Sequence, residues 1–111
     1  MRALRLNLPK FNITINTVAP YMTESRLMTP ELRDILESYN VPINKAESVA
    51  LAMGYLISKG VNGKTIYSAG DTFREVEDAI SETEPVWLGE ENSKYFKSAQ
   101  KANYFASKSG L

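Results

Sequence analysis

Asn12-Ile13-Thr14-Ile15-Asn16-Thr17-Val18 alternates with period two, and the run continues as Ala19-Pro20-Tyr21-Met22-Thr23-Glu24-Ser25. The alternation and the β-branched side chains predict a strand with Ile13 and Ile15 on one side, closed by Pro20. From Tyr21 to Met28 no periodicity survives, so the strand is expected to run out into a loop. Upstream, Met1, Leu4 and Leu8 recur at spacings of three and four, the mark of a short helix that Pro9 would end. Downstream, Thr29-Pro30-Glu31 places a hydroxyl cap, a first-turn proline and an acid where a helix begins. Leu32, Ile35, Leu36 and Tyr39 are its expected buried face.

A second helix start is read at Asn44-Lys45-Ala46-Glu47, close to a capping box with Asn as the cap. That helix carries Val49, Leu51, Ala52, Leu56 and Ile57 and ends at Lys59-Gly60. Gly63 to Gly70 is a glycine-bracketed second strand. Asp71 to Leu88 is polar and proline-interrupted, and a turn with a short helix around Phe73 to Ile80 is expected. Glu90 to Ser107 shows Tyr95, Ala99, Ala102 and Ala106 at helical spacing, with Lys97, Lys101 and Lys108 toward the favourable end of the dipole.

The chain has 111 residues, with 13 basic and 13 acidic side chains, and contains neither cysteine nor histidine. A balanced charge offers no basic excess for a phosphate backbone, so nucleic acid is not expected as a partner. The absence of cysteine and histidine removes disulfides, thiolate nucleophiles, imidazole bases and the commonest zinc ligands, and no metal is expected. No stretch is long and apolar enough to span a membrane, and a soluble, cytoplasmic protein is expected.

Helix, strand, Pro20 loop, two helices and a glycine-flanked strand, in that order, resemble the end of the short-chain dehydrogenase/reductase fold. The family closes this strand with a motif like Asn-x-Val-x-Pro-Gly-x-Val-x-Thr. The matching run is Asn16-Thr17-Val18-Ala19-Pro20-Tyr21-Met22-Thr23-Glu24-Ser25, with Tyr21 in place of glycine and Ser25 in place of threonine. Ala46-Glu47-Ser48-Val49-Ala50 and Tyr55-Leu56 are similar to the family's penultimate helix, and Asn62-Gly63-Lys64-Thr65-Ile66 resembles the start of its last strand. The best-matched subtype looks like fungal proteins related to hydroxyprostaglandin dehydrogenase. The resemblance covers about residues 1–76, leaving 77–111 as a tail with a helix at about 90–106.

This resemblance implies an α/β fold, the C-terminal portion of a Rossmann-type sheet with two parallel strands plus helices. It also implies that Met1 falls within the family's active-site helix, beyond the dinucleotide-binding Gly-x-x-x-Gly-x-Gly turn and the catalytic Tyr-x-x-x-Lys pair. Tyr55 and Lys59 repeat that spacing in the wrong element and are read as an ordinary helix face. No cofactor is therefore expected on this chain alone. By resemblance, Thr23 and Ser25 are remnants of the nicotinamide contact; without the rest of the site, ordinary loop hydroxyls are the favoured reading. Tyr21, Met22 and Met28 are candidates for an apolar substrate pocket, in a stretch with Arg26 that matches the family's lid. Tyr21, Glu24 and Asp71 are the catalytic candidates, carboxylates being the base type left without histidine, with Glu75 and Glu77 beside Asp71. The alternative for Asp71 is a solvated turn or a helix cap. Pro85, Val86, Trp87 and Leu88 form an apolar knot expected to staple the tail down.

Two strands of a larger sheet leave an unpaired edge and open apolar surface, which association would cover. A homodimer is expected, completing the fold. One functional expectation is a dimeric, cofactor-independent cyclase or isomerase acting on a hydrophobic metabolite, with secondary metabolism as its setting. A second is a non-catalytic subunit that binds intact dehydrogenase, and a third retains NAD(P)-dependent redox activity.

Overall fold

The computed structural model describes residues 1–108, with side chains to residue 102. The chain forms two compact units: a sheet unit of Thr17–Gly60 and Thr65–Glu75, and a helical unit of Met1–Asn16, Val61–Lys64 and the chain from Val76.

In the sheet unit, β1 (Thr17–Pro20) runs parallel to β2 (Thr65–Ala69), and β2 pairs antiparallel with β3 (Thr72–Glu75). A parallel pair needs a long crossover, supplied here by α1 (Pro30–Ser38) and α2 (Ala46–Lys59). Pro20 closes β1, where a strand tolerates a residue without an N–H, and the chain continues the ladder as Tyr21 donates to the Ser68 carbonyl at 2.8 Å. Thr29 caps α1 by accepting from the Leu32 amide, with Pro30 in the first turn, and Gly60 ends α2 at φ 63°, both as the sequence predicts. α2 packs on β1 and β2. Leu36, Ala52, Leu56 and Ile66 are the buried apolar side chains of this unit among the described residues. A fully buried leucine contributes ~2 kcal/mol, so each matters in so small a core.

The expected parallel pair of an α/β fold is present, and a third strand joins it. Thr72–Glu75 is strand rather than the first part of a helix, because Gly70 and Asp71 both take positive φ (56° and 61°). Two such residues between paired strands make a tight hairpin turn that sends the chain straight back along β2. The first strand also differs from expectation, starting at Thr17 rather than Asn12. Asn12 instead sits at φ 58°, its amide closing a turn on Leu8 and Pro9. The expected apolar faces are largely open: Ile35 on α1, Tyr39 at its C-cap, and Leu51 and Ile57 on α2 are all exposed.

The helical unit contains a 3-10 turn (Leu8–Phe11) and three α-helices, α3 (Glu77–Glu82), α4 (Glu84–Leu88) and α5 (Glu90–Lys108). The predicted N-terminal helix is replaced by turns and this 3-10 segment. Pro9 lies inside it at the first-turn position, where its missing N–H is not needed. Asn16 joins two strand entries, its Nδ2 donating to the Val61 carbonyl at 2.8 Å and its Oδ1 accepting from the Lys64 amide at 2.9 Å.

The centre of this unit is ionic. Arg2 grips both oxygens of Glu77, Nε at 3.0 and 3.2 Å and Nη2 at 2.9 Å, while Arg5 adds a contact at 3.3 Å. The Glu77 side chain is only 5% exposed, so the two guanidiniums answer a carboxylate that burial would otherwise strongly disfavour. The expected Trp87 staple is not formed. Trp87 is 59% and Val86 86% exposed, and the buried contact between α4 and α5 is polar, Ser93 Oγ donating to Glu84 Oε1 at 2.8 Å. The tail helix spans its predicted range, and the side chains of Ala106 and Lys108 lie outside the described residues.

Candidate functional site

At the carboxyl end of β1 the chain leaves the sheet and folds into an open cleft of about 350 Å³. Its wall consists of Pro20, Tyr21, Met22, Thr23, Ser25, Leu27, Met28 and Leu32. In open α/β sheets, ligands bind beyond the carboxyl ends of the strands, where loops diverge. This cleft occupies that place.

The lining carries hydroxyls but no charge. Thr23 Oγ1 donates to the Tyr21 carbonyl at 2.7 Å, which folds the loop on itself. Ser25 Oγ accepts from the Leu27 amide at 3.2 Å, leaving its own O–H as a donor. The Tyr21 ring lies 6.5 Å from that of Tyr67, tilted by 45°, an aromatic pair that supports the side chain from β2. Glu24 does not line the cleft and is engaged by Arg33 at 2.6 Å, which raises the Arg33 pKa above its ordinary value. The structure thus gathers Tyr21, Met22, Thr23, Ser25 and Met28 around one space, and leaves Glu24 and Asp71 outside it.

Asp71 has a structural partner set. Its Oδ1 accepts from Ser48 Oγ at 2.6 Å and from the Lys45 amide at 2.8 Å, at the start of α2. The Ser48 hydroxyl and then the Lys45 N–H hold its pKa below the ordinary carboxylate range. It is an ionised cap for α2, supplied from the hairpin turn. Asn44, expected to be that cap, precedes it: the N-cap residue is Lys45, which makes no side-chain capping bond.

Asn44 is wholly buried and its side chain is fully occupied. Nδ2 donates to the Ser68 carbonyl at 2.9 Å and toward Thr23 Oγ1 at 3.4 Å, and Oδ1 accepts from Ser68 Oγ at 3.1 Å and the Asp71 amide at 3.0 Å. Its backbone reaches the cleft loop, donating to the Met22 carbonyl at 2.7 Å and accepting from the Glu24 amide at 2.8 Å. Sequence reading missed Asn44 and Ser68 because their partners lie more than twenty positions away, and no local pattern announces them.

Tyr55 and Lys59 stand on exposed α2 surface with the ammonium 5.9 Å from the ring centre. Among the described residues, no three His, Cys, Asp or Glu side chains stand together as a metal site would need. Nor is any helix long and apolar enough to cross a membrane.

Over 90% of its length the chain is 32% identical to the short-chain dehydrogenase/reductase prx4 of Penicillium roqueforti, and equally to prx4 of Penicillium rubens. It is 31% identical over 82% of its length to the short-chain dehydrogenase/reductase ATR7 of Stachybotrys chlorohalonatus. The chain is a short-chain dehydrogenase/reductase segment. It spans 36% of the length of the prx4 proteins and 35% of ATR7. No family model matches it, and no solved structure matches it significantly. The β1–Pro20–loop order that carries the resemblance therefore has a physical counterpart in this segment: a strand end that opens into an uncharged cleft.

Proposed function

We propose that this segment forms the substrate side of a short-chain dehydrogenase/reductase site and receives a neutral, hydrophobic metabolite in the Pro20–Leu32 cleft. The observation that carries this reading is the lining itself. Apolar surface, three hydroxyls and no ionic side chain surround a space of about 350 Å³ at a strand's carboxyl end, within the size range of small-molecule sites. Apolar contact supplies affinity, while Ser25 and the Tyr21 hydroxyl supply orientation.

By resemblance, the segment is the C-terminal part of the family fold, and the dinucleotide turn and the Tyr-x-x-x-Lys pair belong to the remainder. Under this reading NAD(P)-dependent oxidation or reduction is the activity of the complete site. The fungal relatives make secondary metabolism the proposed setting, with a hydroxyprostaglandin dehydrogenase-like subtype as the finer form.

A second reading is favoured by the two open flanks of α2, Leu51 with Tyr55 on one and Met53 with Ile57 on the other, each side chain more than half exposed. Apolar surface of this kind drives association. Two copies would then enclose the cleft as a cofactor-independent cyclase or isomerase. In that case shape and the Tyr21 hydroxyl carry the chemistry, because Glu24 and Asp71 are committed to Arg33 and to α2.

Fluorescence titration with Nile red, a neutral apolar probe, tests the ligand site. Saturable binding that Met28→Asp weakens by about tenfold supports it, since a charge in an apolar wall must be desolvated. Binding unaffected by Met28→Asp would contradict it. Light scattering separates the two readings: a dimer that binds the probe favours the second. NADH titration of the isolated chain addresses redox activity, where tight binding would contradict the assignment of the dinucleotide site to the remainder.

A further inference from the structure

We infer that Asn44 is the positioning residue of the cleft, fixing the Tyr21–Ser25 loop in its ligand-receiving shape; this rests on the cleft being the ligand site.

The inference follows from a chain of contacts anchored at a rigid point. The hairpin turn at Gly70-Asp71 is fixed by two positive-φ residues. It also packs closely: a Cβ added at Gly70 would meet Pro42 Cβ at 2.8 Å. Ser68 and Asp71, on either side of Gly70, together supply the Asn44 amide with one acceptor and two donors. With its side chain so held, Asn44 presents its own N–H and C=O in a parallel bridge to the cleft loop, opposite Thr23. Met22 and Glu24 are thereby tied at 2.7 and 2.8 Å to a residue that cannot turn.

The Asn amide satisfies this arrangement. The Ser68 carbonyl requires a donor and the Asp71 N–H an acceptor on the same planar group, which Asn provides and an ionised carboxylate, a Ser or a Leu does not. An unfilled partner at 0% exposure would lack water as a substitute. Ser68 adds a further link, because its carbonyl accepts from both Asn44 and Tyr21. The residue that begins the cleft and the residue that braces its middle thus share one acceptor.

The test compares Asn44→Asp and Asn44→Ala with Leu56→Ala, a core substitution remote from these contacts that lowers stability by general loss of packing. Two readouts are taken: amide hydrogen exchange at Glu24 and at residue 44, and the Nile red dissociation constant. Both Asn44 variants should speed exchange at those two amides by about tenfold relative to the amides of α2. Nile red binding should weaken by a similar factor, whereas Leu56→Ala raises exchange across the unit and leaves the dissociation constant unchanged. Equal exchange effects from Leu56→Ala and Asn44→Ala at Glu24 would overturn the positioning role. Failure of the parent chain to bind Nile red would count against the ligand site alone, since the exchange measurement still decides what Asn44 does.

Discussion

The sheet unit and the helical unit are both small, yet they solve the problem of a thin core by different means. In the sheet unit, a ladder of backbone hydrogen bonds and a neutral buried amide join strands, turn and loop, with four apolar side chains behind them. In the helical unit, the buried centre is a carboxylate answered by two arginines, with a second carboxylate, Glu84, held by Ser93. A neutral network fixes geometry and is indifferent to salt, whereas an ionic centre depends on both charges being present. The candidate ligand cleft lies on the first kind of scaffold, where a loop has to keep one shape.

This contrast can be broken most forcefully at Glu77. Glu77→Ala takes the carboxylate partner from Arg2 and from Arg5, whose side chain is 22% exposed, and should cost ~3 kcal/mol. Urea unfolding followed by Trp87 fluorescence reads it, since Trp87 is the chain's one tryptophan and belongs to the helical unit. A loss under about 1 kcal/mol would show that the ionic centre is ornamental. Leu56→Ala asks the same of the sheet unit, with ~2.5 kcal/mol expected from a buried leucine in a core that cannot fully collapse. Its effect should appear first in tyrosine signals from β2.

A smaller effect is expected at the start of α1. Thr29→Ala removes the side-chain cap on Leu32 and should cost ~1 kcal/mol, with Thr29→Ser restoring most of it. Circular dichroism during thermal melting provides the measurement.

The smallest effect concerns pH. Asp71 has a lowered pKa in the folded chain, so its contribution is present above the unfolded carboxylate value of about 3.9 and is lost as pH falls through the lower folded value. Asp71→Asn should therefore lose less stability than the parent on going from about pH 5 to about pH 3. Parallel melts at the two pH values would show it, and identical pH dependence would mean that the contacts with Ser48 and Lys45 add nothing.

Local signals in the sequence carried the sheet unit well where the determinants are local. Thr29 and Pro30 announce α1, Gly60 ends α2, and the Pro20 loop follows a strand, as periodicity and capping chemistry require. Other features depend on partners distant in sequence. Asn44 has the appearance of a helix cap until Ser68 and Asp71 arrive to claim its side chain, and Asp71, for which a helix cap is one reading of the sequence, caps α2, more than twenty positions earlier in the chain. The hairpin strand Thr72–Glu75 was hidden because Gly-Asp is also a common loop pair and four residues are too few to separate a strand from the start of the short helix expected around Phe73 to Ile80. Trp87 illustrates the opposite error, in which a large apolar residue suggests burial although α4 is held by the Glu84–Ser93 bond. In the cleft, Tyr21, Met22 and Met28 line one space, whereas the sequence leaves them the alternative of packing beneath the loop as filler.

The most direct test of the cleft uses methionine methyl groups. The chain has four methionines: Met22 and Met28 line the cleft and Met53, on α2, does not, while Met1 belongs to the helical unit. Selective carbon-13 labelling of these methyls gives one nuclear magnetic resonance signal for each. On saturation with Nile red, the signals of Met22 and Met28 should move while that of Met53 stays in place. Movement confined to Met53, on an open flank of α2, or no movement at the two cleft methyls despite binding, would contradict the account.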